Sequence, residues 1–141
     1  MNTELSIDLA SGISAFESKN FTQALKLLMP LAEENDTEAQ YRIAIMLQNG
    51  LGAVRNELLA YKWMSAAAKS GHALAQHGLG FMYMSGDCAE RNGACAEKWF
   101  LSAAKQGLAG SMTTLAMLYK EGDLLDHNEE KARYWLNEAG I

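Results

Sequence analysis

Three tryptophans, Trp63, Trp99 and Trp135, stand 36 residues apart, and many other positions keep the same interval. Gly50, Gly86 and Gly122 share it, as do Asn56, Asn92 and Asn128, then Ala60, Ala96 and Ala132, then Ala67, Ala103 and Ala139. Gly71 and Gly107 are one further pair. A fixed period of this size marks stacked supersecondary units, each too small to bury its apolar face alone. Few other chain designs are compatible with it.

Each unit reads as two helices. Ala39, Ile43, Met46, Leu47 and Gly50 follow i, i+4, i+7, i+8 and i+11, one stripe of a helix. Ala75, Leu79, Met82, Tyr83 and Gly86 repeat the stripe, and Ser111, Leu115, Leu118, Tyr119 and Gly122 repeat it again. A glycine ends each of these helices, because a left-handed residue costs little without a Cβ. Asn56, Asn92 and Asn128 are expected N-caps for the second helices, their side-chain oxygens accepting an orphan amide. The second helices carry Ala60, Trp63, Met64 and Ala67, matched by Ala96, Trp99, Phe100 and Ala103 and by Ala132, Trp135, Leu136 and Ala139.

The first 35 residues are a shortened variant. Gly12 and Ala24 lie 12 apart where Ala44 and Ala60 lie 16 apart, so the connection between helices has lost four residues. Asn20 with Gln23 has the spacing of a capping box. Pro30 falls inside the second helix, and the apolar spacing through Leu31 predicts a kink rather than a break. The expected organisation is one all-α domain over 1–141: a helical pair in 1–35, then repeats in 36–71, 72–107 and 108–141. Twelve glycines beside a single proline fit helices closed by glycine.

Charge excludes some partners. Twelve bases against 17 acids give a net of −5, with no basic excess to hold nucleic acid. Residues 1–40 carry seven acids and two bases, residues 41–120 four acids and eight bases, and residues 121–141 six acids and two bases. The basic middle is either a solvated surface or an attraction for an acidic segment of a partner. No stretch reaches the ~18 apolar residues of a membrane span. The opening MNTELSIDLASGIS is acidic and lacks the core of a signal peptide, and two cysteines make no disulfide framework. The expected setting is cytoplasmic, with Cys88 and Cys95 as free thiols.

The segments AQYRIAIMLQNGLGAVRNELLAYKWMSAAAKSG, AQHGLGFMYMSGDCAERNGACAEKWFLSAAKQG and SMTTLAMLYKEGDLLDHNEEKARYWLNEAG resemble the Sel-1-like repeat (SLR) family over residues 36–141. Residues 1–35 resemble a tetratricopeptide-like pair. Leu47 stands where that family has tyrosine, Cys88 and Leu124 where it has a second glycine, and asparagine where it has aspartate at the second cap. The resemblance implies an all-α, right-handed α/α superhelix, or solenoid, of about four helix-turn-helix units. It also implies a protein-binding scaffold or adaptor, mostly without catalysis of its own, whose first helices line a concave wall.

On those first helices Ile45, Phe81 and Met117 lie 36 apart and outside the packing stripe, with Ile13 as their counterpart in the shortened unit. Tyr41 and His77 lie one turn before, and Met84 one turn after Phe81. Such a column is either a binding surface of aromatic and methionine side chains or part of the core within each unit. Arg42, Gln48, Asn49, Lys120 and Glu121 are the polar contacts around it. The expected partner is a protein or peptide, held as an extended segment or a helix, with acidic-hydrophobic character favoured by the basic middle. Tyr134, Leu136 and Ile141 edge the last helix, so the chain is expected to be a monomer or to self-associate weakly.

Catalytic and metal-binding signals are thin. Ser102-Ala-Ala-Lys105 matches the S-x-x-K motif of penicillin-recognising enzymes, but the companions S-D-N and K-T-G are missing and the motif falls within the repeat's own alanine segment. His72 and His77, five apart, would point ~140° away from each other on a helix and do not make the i, i+4 pair a zinc site prefers. His127 among Asp123, Asp126, Glu129 and Glu130 reads as an acidic helix start. Neither cofactor nor metal is expected, and no enzyme activity.

Overall fold

The apolar stripes, glycine stops and asparagine caps all find their counterparts in a computed structural model, which describes residues 3–141 and the side chains from residue 7 onward. The described residues form eight helices and no strand. They are α1 (Thr3–Glu17), α2 (Phe21–Glu33), α3 (Thr37–Asn49), α4 (Glu57–Lys69), α5 (Ala73–Ser85), α6 (Gly93–Lys105), α7 (Ala109–Glu121) and α8 (Glu129–Glu138). They divide into two compact units, Met1–His72 and Ala73–Ile141, each made of two helical pairs.

Helix ends follow the repeat. Asn56, Asn92 and Asn128 each accept the backbone N–H three residues on, at 3.0, 3.0 and 2.9 Å. Gly50 and Gly122 close α3 and α7 with φ of 68° and 71°, their N–H groups donating to Met46 and Leu118 carbonyls. Asn20 occupies the cap position of α2 but makes no side-chain cap bond, contrary to the capping-box expectation. Its backbone, with ψ of 72°, departs from the extended geometry of the other three, which have ψ of 97–109°. The short connection is the cause: residues 18–20 join α1 to α2, where residues 50–56 join α3 to α4. Pro30 lies inside an unbroken α2.

In the first unit the core is built from Leu28, Leu31, Ile43, Met46, Leu47, Trp63 and Met64, all buried, among alanines that let the helices close up. In the second, Phe100, Leu115, Leu118, Tyr119, Leu125 and Trp135 pack together, with Tyr83, Met84, Leu101 and Met112 against them. Trp63 and Trp135 are buried as their periodicity requires, whereas Trp99 is only half-buried. Phe100 takes the interior place, and the Lys98 ammonium lies 4.9 Å over the Trp99 ring.

Two departures from the family pattern resolve differently. Cys88 holds φ of 67°, close to the 73° of Gly52 one repeat earlier, while Leu124 has no positive φ. A cysteine in the left-handed region carries steric strain between its Cβ and the carbonyl that follows. Cys88→Gly is therefore expected to stabilise the protein by about 1 kcal/mol, read as a higher urea midpoint at unchanged slope. An unchanged or lower midpoint would show that contacts of the thiol outweigh the strain.

Candidate functional site: the first-helix faces

In the first unit α3 supplies Tyr41, Arg42, Ile45 and Gln48, all half-buried, and α1 supplies the half-buried Ile13. Tyr41 and Arg42 are engaged inside the unit. The Tyr41 ring stacks on His72 with centroids 4.8 Å apart, and His72 Nε2 lies 2.6 Å from Glu38 Oε2. Arg42 donates to the other Glu38 oxygen at 2.9 Å, reaches Glu17 at 3.6 Å and covers the Phe16 ring at 4.9 Å. Gln48 presents its carbonyl to Arg55 Nε at 2.8 Å. The network ties α1, α3 and the turn that follows α4 together. Only Ile13 and Ile45 remain as apolar contacts of the predicted column in this unit.

The second unit is more open. Phe81 on α5 is 48% exposed and Met117 on α7 is 44% exposed, beside a stripe whose Leu79, Met82, Leu115 and Leu118 are buried. His77 is half-buried, Met84 packs against the core and Lys120 is exposed. The His77 ring lies 6.4 Å from Phe81 and 5.3 Å, edge to face, from Phe100, and its Nδ1 is 2.8 Å from Ser111 Oγ. Met117 and Lys120 join Thr113, Ala116, Glu121 and Leu136 around a largely apolar hollow of about 350 Å³. A second hollow, of about 440 Å³, is polar and lies between Glu97, Tyr119, His127 and Lys131. There the Tyr119 hydroxyl donates to the Glu97 carboxylate, and burial together with that carboxylate pushes the phenol far above its ordinary value.

The three arginines of the basic middle are paired with acids within the fold. Arg42 pairs with Glu17 and Glu38, Arg55 with Glu57 at 2.7 Å, and Arg91 with Asp123 at 3.3 Å. Acids from the flanking acidic segments thus sit beside two of these arginines, which sums over sequence windows do not reveal.

Two groups make stability fall as the solution becomes acidic. Burial alone would raise the Glu38 carboxyl, but hydrogen bonds from His72 and Arg42 and their charges overcome it and hold the group below 4.5. A depressed carboxyl contributes stability above its unfolded value and loses it as pH falls through the folded one. Burial also lowers the His77 imidazole below 6.5, so the unfolded chain takes up that proton first. This contribution too is complete above 6.5 and declines as pH falls. Urea midpoints are therefore expected to decline first just below pH 6.5, and His77→Gln should remove that early limb while leaving a later one below 4.5 that Glu38→Gln removes. A His77→Gln profile that overlays the wild type would remove His77 from this account.

Helical pairs of constant period, with buried first-helix stripes and asparagine-capped second helices, define an α-helical repeat protein. Sel1 repeats match residues 37–72, 73–108 and 109–140, and the chain belongs to the Sel1 repeat family. A protective antigen of uropathogenic Escherichia coli displaying an SLR fold superposes with a TM-score of 0.89 at 31% identity, over 96% of this chain and 30% of that one. A Sel1 repeat protein from Oxalobacter formigenes gives 0.86 at 31% identity, over 94% of this chain and 54% of that one. The chain thus spans under a third and about half of these two proteins. None of the curated proteins matches it. Sel1 repeat proteins are generally protein-interaction scaffolds. Among the described residues no helix is long and apolar enough to cross a membrane.

Sequence reasoning missed several residues of these faces. Glu38 and His72, like His77 and Ser111, pair across 34 residues, an interval that a 36-residue self-comparison does not sample. Leu136, an edge residue of the last helix by sequence, lies on the hollow beside Met117.

Proposed function

We propose that the chain is a non-catalytic interaction scaffold that holds a peptide or helix of a partner protein on the exposed side chains of its first helices. The observation that supports this reading is the exposure of Phe81 and Met117, each close to half, beside a buried stripe that already satisfies packing. Large apolar side chains left in water on a rigid element are the usual anchors of protein interfaces. Ile13 and Ile45, with Tyr41, Arg42 and Gln48 around them, form the corresponding surface of the first unit, and His77, Met84 and Lys120 flank Phe81 and Met117 in the second. A cytoplasmic adaptor fits two unbridged, half-buried thiols.

Affinity capture with wild type and Phe81→Asp side by side tests this. The expected result is a discrete protein retained by the wild type and lost from the variant, at equal helicity and equal melting cooperativity. Equal capture by both would remove Phe81 from the binding surface, and an unfolded variant would place it in the core.

The apolar hollow beside Met117 and Leu136, with Tyr134 54% and Ile141 75% exposed, favours weak self-association as a second reading. Sedimentation over a range of concentrations decides it, and a strict monomer at the highest concentration ends it. The S-x-x-K serine has less support: Ser102 and Lys105 both lie on α6, and no hydrogen bond joins their side chains.

A further inference from the structure

The face around Phe81 differs from the others in its chemistry. The 13 residues of α5 include no Asp, Glu, Lys or Arg, whereas α3 carries Glu38 and Arg42 and α7 carries Lys120 and Glu121. Those two charges of α7 are adjacent and opposite, so they add no net charge to the face. A carboxylate or ammonium pressed onto Phe81 would lose water and find no counter-charge on α5, an arrangement that is strongly unfavourable.

The face is also preorganised. The Phe81 ring lies beside the His77 ring, which is held in turn by Phe100 from α6 and by the Ser111 hydroxyl from α7. An aromatic platform that does not reorganise on binding spends little entropy when covered. Ser111 engages Nδ1, leaving Nε2 as the second hydrogen-bonding atom of the ring. Space over that edge is kept by Gly110, where the nearest atom to an added Cβ would be His77 Cε1, at 3.9 Å. One and two repeats earlier the same position carries Leu74 and Glu38, so the notch is particular to this repeat.

We propose that the α5–α7 face takes an uncharged apolar peptide segment, an aliphatic or aromatic side chain seated on Phe81 and a backbone group hydrogen-bonded to His77 Nε2 in the notch over Gly110. This rests on the scaffold reading and fixes the class of partner, replacing the acidic-hydrophobic segment suggested by charge along the sequence. The groups that face the imidazole are Phe81 on α5, Phe100 on α6 and Gly110 and Ser111 on α7; none of them is charged.

Panning a display library of random dodecapeptides on the immobilised full chain, then measuring the enriched synthetic peptides by fluorescence anisotropy, tests the proposal. Enriched peptides should be uncharged across their shared segment and bind about equally at low and high salt. Phe81→Asp and Gly110→Leu should each weaken binding by about tenfold or more at unchanged helicity, the second by refilling the notch. Enrichment of acidic peptides with salt-sensitive, Phe81-dependent binding would overturn the partner class while leaving the scaffold reading in place. Peptides that bind Phe81→Asp as tightly as the wild type, or a library with no enrichment, would overturn both. A wild-type dimer that Phe81→Asp converts to monomer would give the face to a second copy and overturn the proposal as well.

Discussion

Phe100→Ala is expected to destabilise the second unit by about 3–5 kcal/mol, the range for an aromatic side chain removed from a fixed interior. Phe100 has no exposed surface, and its ring carbons come within 3.0 Å of where a Cβ on Gly80 would stand. Gly80 has no side chain to swing into the vacated space, and the His77 ring on another side is held by Ser111. The cavity would therefore persist rather than collapse, and loss of contacts adds to the lost transfer free energy. Urea unfolding of Phe100→Ala beside Phe81→Ala makes the comparison internal. The exposed neighbour should change stability by less than about 1 kcal/mol, as solvent-facing substitutions do. A loss at Phe100 no larger than at Phe81 would mean that the pocket collapses and that the interior of this unit is soft.

The same residue shows how far the sequence could be read. Periodicity placed both Trp99 and Phe100 on the second helix of their repeat but could not rank adjacent aromatics. In the first repeat the equivalent pair, Trp63 and Met64, is buried together, whereas here Phe100 is buried and Trp99 is left half-buried. The choice depends on Gly80, which lies on a different helix. Features set within one or two turns were legible: the stripe from Ala39 to Leu47, the three asparagine caps and the glycine stops. Pairings across elements were not, because Glu38 with His72 and Ser111 with His77 leave no trace in composition or period. Charge windows were blind in the same way, since they separate Arg91 from Asp123 and the fold brings them to 3.3 Å. Of the candidate column, the positions were readable but the division of labour was not. Tyr41 and Arg42 brace their own unit, and Phe81 stays open.

Glycine shows the limit most sharply, because residues that look equivalent as punctuation carry different loads. Gly52→Ala is expected to cost about 3 kcal/mol or more, and Gly71→Ala only about 1 kcal/mol, the strain of a left-handed L-residue alone. Both glycines have positive φ, of 73° and 96°. A Cβ on Gly71 would meet nothing within 4 Å. A Cβ on Gly52 would stand 2.6 Å from the carbonyl oxygen of Phe21 and 2.7 Å from its carbon. Those are backbone atoms of the first residue of α2, and the Phe21 ring is braced edge to face against Phe16 at 5.5 Å. No rotamer change relieves such a contact, so α2 or the α3–α4 connection would have to move as a body. Steric strain and displacement then add at Gly52, while strain alone acts at Gly71. Urea midpoints of the two variants at equal slope read the difference directly. Equal losses would show that the connection yields without cost, and that the first unit is not held together by this close approach.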